Sequence, residues 1–327
     1  MKKFFNTTFH LCSILLTVFL IGIGLSQGAE KQAGPQGGRL ETTFKHRGNF
    51  SVVLIGTGSP QYDPERSGPS TLIHYNGHYF LVDMGNGTQV RLLNAGIVPG
   101  DIETWMFTHH HLDHNEEYIP LSIGSWLRGR RHLNLVGPPN TRALHEFLIT
   151  FYKEDMEYRA RRRGRPVDWD GMITNVDIKE VSGDEIFEIH GVKITTTRVK
   201  HTIHTQAYRF DADGKSIVIS GDLSYSENLI TLAKNTDVLV MDAGQVMRKQ
   251  QRPPSGTRPQ RRSGAQGTRA HSNLEEVATM ATKANVKKLV LIHLPQGIID
   301  KEATLEVYRK IYDGNVIFGE DLMEIVP

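Results

Sequence analysis

Apolar positions along the chain come in short runs, and the runs end at Gly, Asn or Asp. "FSVVLIG" (50–56), "TLIHY" (71–75) and "YFLVD" (79–83) are the first three, and such runs predict buried strands. "TQVRLLNAG" (88–96) instead spaces its apolar residues at helical intervals and stops on Gly. "NTRALHEFLITFYKEDM" (140–156) predicts a longer amphipathic helix. A second strand series begins near Asp184 with "EIFEIHG", "VKITTTRV", "QAYRF", "KSIVIS" and "DVLVMD". A helix then opens at "HSNLEEVATMATKA", where Ser272 and Glu275 give an S-x-x-E capping box, and "KKLVLIHL" is one more buried strand. Two runs of strands, each followed by helices, predict two sheets packed face to face with helices outside.

Two ends of that pattern change the picture. Residues 1–28 start with Lys2 and Lys3, continue through an uncharged apolar run from Leu11 to Leu25, and close on small residues. That is the pattern of a cleaved secretory signal, and the run is shorter than the roughly 20 residues of a membrane span. The expectation is a periplasmic or secreted protein with no stable membrane association, an uncleaved N-terminal anchor being the alternative. Residues 29–48, poor in apolar side chains, read as a flexible linker, and 49–327 as the folded domain. Loss of 1–28 removes the single cysteine, Cys12, and leaves 36 basic and 36 acidic side chains. With neither thiolates nor a bulk positive charge, soft metal sites and non-specific nucleic-acid binding are not called for.

Charge is nonetheless patchy. "YRARRRGRP" (158–166) carries five arginines. Residues 247–270 hold seven basic side chains, Arg258, Arg261 and Arg262 among them, and no acid occurs between Asp242 and Glu275. The Gly, Pro and Gln content predicts a mobile loop, and its return at His271 makes it a candidate basic lid over an anionic substrate.

The densest chemistry is "FTHHHLDHNEE", 107–117. Read as H-x-H-x-D-H it gives His109, His111, Asp113 and His114. Residues two apart in extended backbone project to one side, so His109 and His111 can share a metal while His110 points away. Asp113 and His114 follow in a turn and can face a second metal. Imidazoles and carboxylates without a thiol suit zinc. Further candidates sit at strand ends: His201, with His204 as competitor, then Asp222 after "IVIS" and His293 after "LVLI".

With those residues in order, the chain resembles the metallo-β-lactamase superfamily, and within it the ribonuclease Z and arylsulfatase-like branch, over about residues 50–320. "LIGTGSP" and "LVDMGNGTQVRLL" resemble that branch's opening strands, with Asn86 where ribonuclease Z usually has Glu. "FTHHHLDH", "HTIHTQAYRF", "SGD" and "LIHL" resemble its ligand motifs, and the spacing to Tyr208-Arg209 favours His201 over His204. The resemblance implies an αββα sandwich and two zinc ions per chain, held by His109, His111, Asp113, His114, His201, Asp222 and His293. It implies that His271 protonates the leaving group with Asp242 orienting it, that Asp113 also orients the nucleophile, and that the chain dimerises. Ribonuclease Z commonly carries a long tRNA-gripping arm between the third histidine and the bridging aspartate. Here His201 and Asp222 are 21 residues apart, enough for one hairpin. That absence and the export signal make tRNA an unexpected substrate. The expected function is hydrolysis of a small anionic ester, a phosphodiester or sulfate, by a metal-bound hydroxide. The alternatives are a tRNA 3′-processing endoribonuclease, a lactam, lactone or thioester hydrolase, and a metal-binding protein without turnover.

Overall fold

A computed structural model describes residues 41–161, 166–249 and 269–327. The expected signal (1–28), the first part of the linker, and most of the basic loop 247–270, with Arg258, Arg261 and Arg262, lie outside the described residues.

The first sheet opens with the antiparallel strands β1 (Phe50–Gly56), β2 (Ser70–Tyr75) and β3 (His78–Val82). After helix α1 (Thr88–Asn94) it continues in parallel through β4 (Thr104–Met106), helices α2 (Leu112–Asn115) and α3 (Tyr118–Leu127), β5 (Leu133–Gly137), the long helix α4 (Thr141–Arg161) and β6 (Val176–Glu180). The second sheet begins as the meander β7 (Glu185–Ile189), β8 (Val192–Val199), β9 (Thr205–Ala212) and β10 (Lys215–Ile219). It then runs parallel through α5 (Glu227–Leu232), β11 (Val238–Asp242), α6 (Leu274–Lys283), β12 (Lys288–Ile292), α7 (Lys301–Tyr308) and β13 (Asn315–Phe318). β14 (Glu324–Ile325) returns to pair with β1. Among the described residues, each sheet has seven strands.

Burial sorts these elements into the expected αββα layers. Val52, Ile73 and Phe80 of the first sheet meet Ile194, Phe210 and Val240 of the second in one apolar layer. The outer face of the first sheet packs on α3 and α4 through Leu121, Trp126 and Leu148, and that of the second on α5 and α6 through Leu229, Val277 and Ala281. Strands buried on both faces read as the continuous apolar runs that made them visible in the sequence.

Two local expectations change. The capping box is one residue later: Asn273 caps α6, its side chain accepting from Glu276 N at 2.8 Å while Glu276 accepts from Asn273 N at 2.9 Å. Asparagine is as good a cap as serine, and the Ser272 hydroxyl is drawn off to the Leu223 carbonyl. The turn expected to carry Asp113 and His114 is the single helical turn α2. The last eight residues read as linker are tied down: Thr43 N donates to Gly96 O at 2.8 Å, Thr42 bonds Asp101, and His46 pairs with Glu324. Polar side chains with specific partners anchor this segment, which apolar content alone cannot reveal.

The topology decides where chemistry can occur. β3 to β6 and β10 to β13 are parallel blocks, so the carboxyl ends of each block open on one edge. Such an edge is where loops from successive strands converge on a ligand. Ties across the sheets hold the two edges together: Tyr208 Oη donates to Phe107 O at 2.7 Å, and Leu294 N to Thr57 O at 2.8 Å.

Candidate metal centre

Every predicted ligand follows the carboxyl end of a strand, or lies in a loop at that edge. His109 and His111 leave β4, and Asp113 and His114 ride on α2. His201 lies between β8 and β9, Asp222 follows β10, and His293 follows β12. Gly221, before Asp222, has φ +62°, and a side chain there would press on Thr108 and Thr205. His293 also adopts a left-handed φ, +56°, a conformation that favours glycine.

His109, His111, His201 and Asp222 offer donor atoms all within 4.8 Å of one another. His111 Nδ1 stands 3.0 Å from His109 Nε2 and 3.2 Å from His201 Nε2. The far nitrogen of each ring is already engaged: His109 Nδ1 with Thr108 Oγ1, His201 Nδ1 donating to the Ala270 carbonyl, and His111 Nε2 with Thr202 Oγ1. The near nitrogens of His109 and His201 are therefore left with lone pairs pointing at a common space, and His111 joins them when its Nε2 donates to Thr202. A tetrahedral site with metal–nitrogen bonds of about 2.0–2.1 Å spaces its nitrogens about 3.3 Å apart, which these separations approach. Burial holds His109 well below the usual histidine range and lowers His201 too, which keeps both rings in the neutral, ligating form.

Asp113, His114 and His293 form a neighbouring group. His293 Nε2 is 3.4 Å from Asp113 Oδ2 and 3.3 Å from Asp222 Oδ2. His114 Nε2 is buried, lies 3.5 Å from both of those carboxylate oxygens, and has no hydrogen-bond partner among the described residues. A buried nitrogen without a partner is costly unless something else binds it. At His114 burial opposes a charge, but Asp222 and Asp83 outweigh it and pull the ring well upward. The carboxylates thus demand a cation, and a bound metal meets that demand. Asp222 Oδ2 also lies 3.9 Å from His109 Nε2 and from His201 Nε2, so it faces both groups. The residues present fit two adjacent divalent cations.

The sequence reading missed Asp83. Its backbone has φ +61° at the end of β3. Its Oδ2 accepts from the Thr108 hydroxyl at 2.7 Å and from His114 Nδ1 at 2.8 Å, and its Oδ1 accepts from Thr108 N. Thr202, on His111, was missed as well. The available signal for Asp83 was an aspartate ending an apolar run beside a glycine turn, and that also marks ordinary strand ends. His204 stays outside the centre, paired with the Gln206 amide at 2.9 Å, and His110 turns away to Thr141.

His271 and Asp242 stand beside the second group. Asp242 Oδ2 accepts from His271 Nδ1 at 2.7 Å, and Asp242 Oδ1 lies 3.8 Å from His293 Nδ1. Burial works against a charge on His271, but the hydrogen bond and charge of Asp242 prevail, and the ring is pushed up to about 9. His271 and His293 line a cleft walled by Gln61, Gln245, Arg248 and Gln296.

Comparison with known proteins places this geometry. The beta-lactamase superfamily domain matches residues 78–294. Ribonuclease Z of Mycobacterium avium (strain 104) is 30% identical over 284 residues, 84% of this chain and 98% of that protein. The crystal structure of the metallo-beta-lactamase fold protein YhfI from Bacillus subtilis superposes with a TM-score of 0.64 at 16% identity, over 85% of this chain and 99% of that one. Human tRNase Z, short form, does so at 0.61 and 19% identity, over 84% and 98%. At such identities the two structures speak to the fold.

One expectation is corrected by the mycobacterial relative. A ribonuclease by its name acts on RNA, a polymer made and processed inside cells, which overturns the expectation of a periplasmic or secreted protein. Among the described residues no helix is long and apolar enough to cross a membrane. The short link between His201 and Asp222 is the hairpin of β9 and β10.

Proposed function

The chain belongs to the beta-lactamase superfamily as a metal-dependent hydrolase of the ribonuclease Z type, and on that premise we propose that it cuts a phosphodiester bond in RNA with two zinc ions. The observation that carries this reading is Asp222 Oδ2, which faces His293 and His114 on one side and His109 and His201 on the other. One carboxylate oxygen shared by two imidazole groups is the donor arrangement of a paired-cation site. His109, His111 and His201 would hold one zinc, Asp113, His114 and His293 the other, with Asp222 between them. Zinc bound there supplies Lewis acidity toward phosphate oxygens and activates water at neutral pH.

The chain's own residues supply the rest. Asp113, in reach of His293, accepts a hydrogen bond from the attacking water and so orients it. Asp242 fixes the His271 tautomer by taking its Nδ1 proton in a hydrogen bond, which leaves Nε2 to donate to the departing oxygen. A ribose alkoxide is a poor leaving group and needs that proton, which makes the pair meaningful for RNA. The similarity to ribonuclease Z favours RNA over the small phosphate or sulfate ester, and over lactams and lactones.

Zinc-loaded protein should hydrolyse bis(p-nitrophenyl) phosphate and unstructured RNA, and leave p-nitrophenyl sulfate and a β-lactam intact. Turnover of the sulfate or the lactam without the diesters would overturn the reading.

A further inference from the structure

The segment Ser59 to Gln61 forms a ridge with a cleft on each side, and the two clefts differ in charge. The cleft that holds His271 and His293 is also lined by Arg248 and Lys249. Neither cation has a carboxylate partner among the described residues. The one acid in this lining, Asp300, is occupied at the start of α7, where its Oδ1 accepts from Ala303 N at 3.2 Å. The opposite cleft opens on Asp113 and is lined by Asp63, Glu116, Asn86 and Arg66. There Arg66, the only cation lining it among the described residues, is bonded to Asp63 at 2.8 Å.

The two cations of the first cleft are held on backbone that is pinned against residues 298–300 and Thr304. Arg248 bridges Ile299 in antiparallel fashion, Lys249 N donates to Ile298 O at 3.0 Å, and Asp300 N donates to Met247 O at 2.8 Å. Met247 N donates to the hydroxyl of Thr304 at 3.1 Å. Exposed Gln61, Gln245 and Gln296 add amides that both donate and accept, as a base edge requires.

From this asymmetry we infer that the substrate is a polyanionic strand whose further phosphates lie on the leaving-group side of the scissile bond, gripped by Arg248 and Lys249. The inference rests on the phosphodiesterase reading and deepens it. His271 marks the leaving side, because it delivers the proton to the departing oxygen. Cations without a carboxylate partner among the described residues occur on that side, while the other side presents the exposed Glu116, which repels additional phosphate. Contacts of cations with phosphates release counterions, and each contributes a slope of about 0.7 in log affinity against log salt for a single strand.

The test uses single-stranded oligonucleotides in which methylphosphonate linkages remove charge from one side of a single cleavable phosphodiester. Product analysis identifies the piece that departs with a free hydroxyl. Neutral linkages on that piece should raise KM about tenfold and flatten its salt dependence, whereas neutral linkages on the phosphate-bearing piece should change KM less than twofold. In the Arg248→Ala/Lys249→Ala variant the difference between the two substrates should vanish. Equal effects from both sides, a larger effect from the phosphate-bearing side, or an undiminished difference in the variant would overturn the inference. Turnover of bis(p-nitrophenyl) phosphate by the unmodified protein separates the two readings: if that diester is cleaved and the side preference is absent, only this inference fails.

Discussion

Asp83 accepts hydrogen bonds on one oxygen, Oδ2, from His114 Nδ1 at 2.8 Å and from the Thr108 hydroxyl at 2.7 Å, and that hydroxyl in turn meets His109 Nδ1 at 3.0 Å. One carboxylate behind the centre thus fixes the ring orientation of a ligand in each metal group. Loss of such a supporting bond typically costs 10–100-fold in metal affinity. Asp83→Asn keeps the shape and tolerates the left-handed backbone. It should weaken zinc binding by about that factor in a chelator competition, with the thermal transition of the zinc-loaded protein still cooperative. Affinity equal to the parent protein would remove Asp83 from the account.

His201→Ala should lose one of the two metals and all turnover, because its Nε2 faces His111 and Asp222. His204→Ala should retain both metals, since His204 bonds to Gln206 away from the centre. Metal analysis after gel filtration checks both variants, and the reverse pattern would mean that the β8–β9 loop presents the other histidine.

The sequence made the candidate ligand side chains legible because H-x-H-x-D-H concentrates four of them in six positions and the others follow strands. The supporting layer was not legible. Thr108, Thr202 and the Ala270 carbonyl act through contacts made only after folding, and no spacing rule selects them. Among the elements, β1, β3 and β11 were visible as nearly continuous apolar runs. α3 was hidden because "YIPLSIGSWL" contains Pro120 and Gly124, both poor helix residues, yet Pro120 falls in the first turn where it costs little. β6 was hidden because it is a sheet-edge strand with most of its side chains exposed.

His271→Ala should keep its metal and lose activity selectively. Substrates with alkoxide leaving groups should slow by about 10²–10⁴-fold, the usual range for a general acid. Those that release p-nitrophenolate need little protonation and should slow far less. An equal loss on both kinds would assign His271 a structural part.

His145 provides a pH dependence away from the centre. It is buried, accepts from the Tyr118 hydroxyl at 2.6 Å through Nδ1, and donates from Nε2 to the Met172 carbonyl at 2.9 Å. Burial lowers it to about 4, against 6.5 for a free histidine, although the Met172 carbonyl works the other way. Above pH 6.5 the ring is neutral in both folded and unfolded chains, and its titration contributes nothing. As pH falls from 6.5 toward 4, the unfolded chain gains a proton that the folded chain refuses, so stability declines. The slope approaches about 1.4 kcal/mol per pH unit for one such group. Urea denaturation at pH 7.5 and 5 should show a smaller acid loss in His145→Gln than in the parent protein, by on the order of 1 kcal/mol. An identical acid loss would show that His145 is not held neutral.

The most direct measurement is metal content set against phosphodiester turnover in the same preparations, as zinc is titrated into chelator-treated protein. Turnover of bis(p-nitrophenyl) phosphate should rise with bound zinc and level off near two per chain, and Asp222→Ala should bind less and stay inactive at any zinc level. Full turnover with no bound metal, or a plateau that Asp222→Ala reaches as readily as the parent, would contradict the paired-zinc phosphodiesterase.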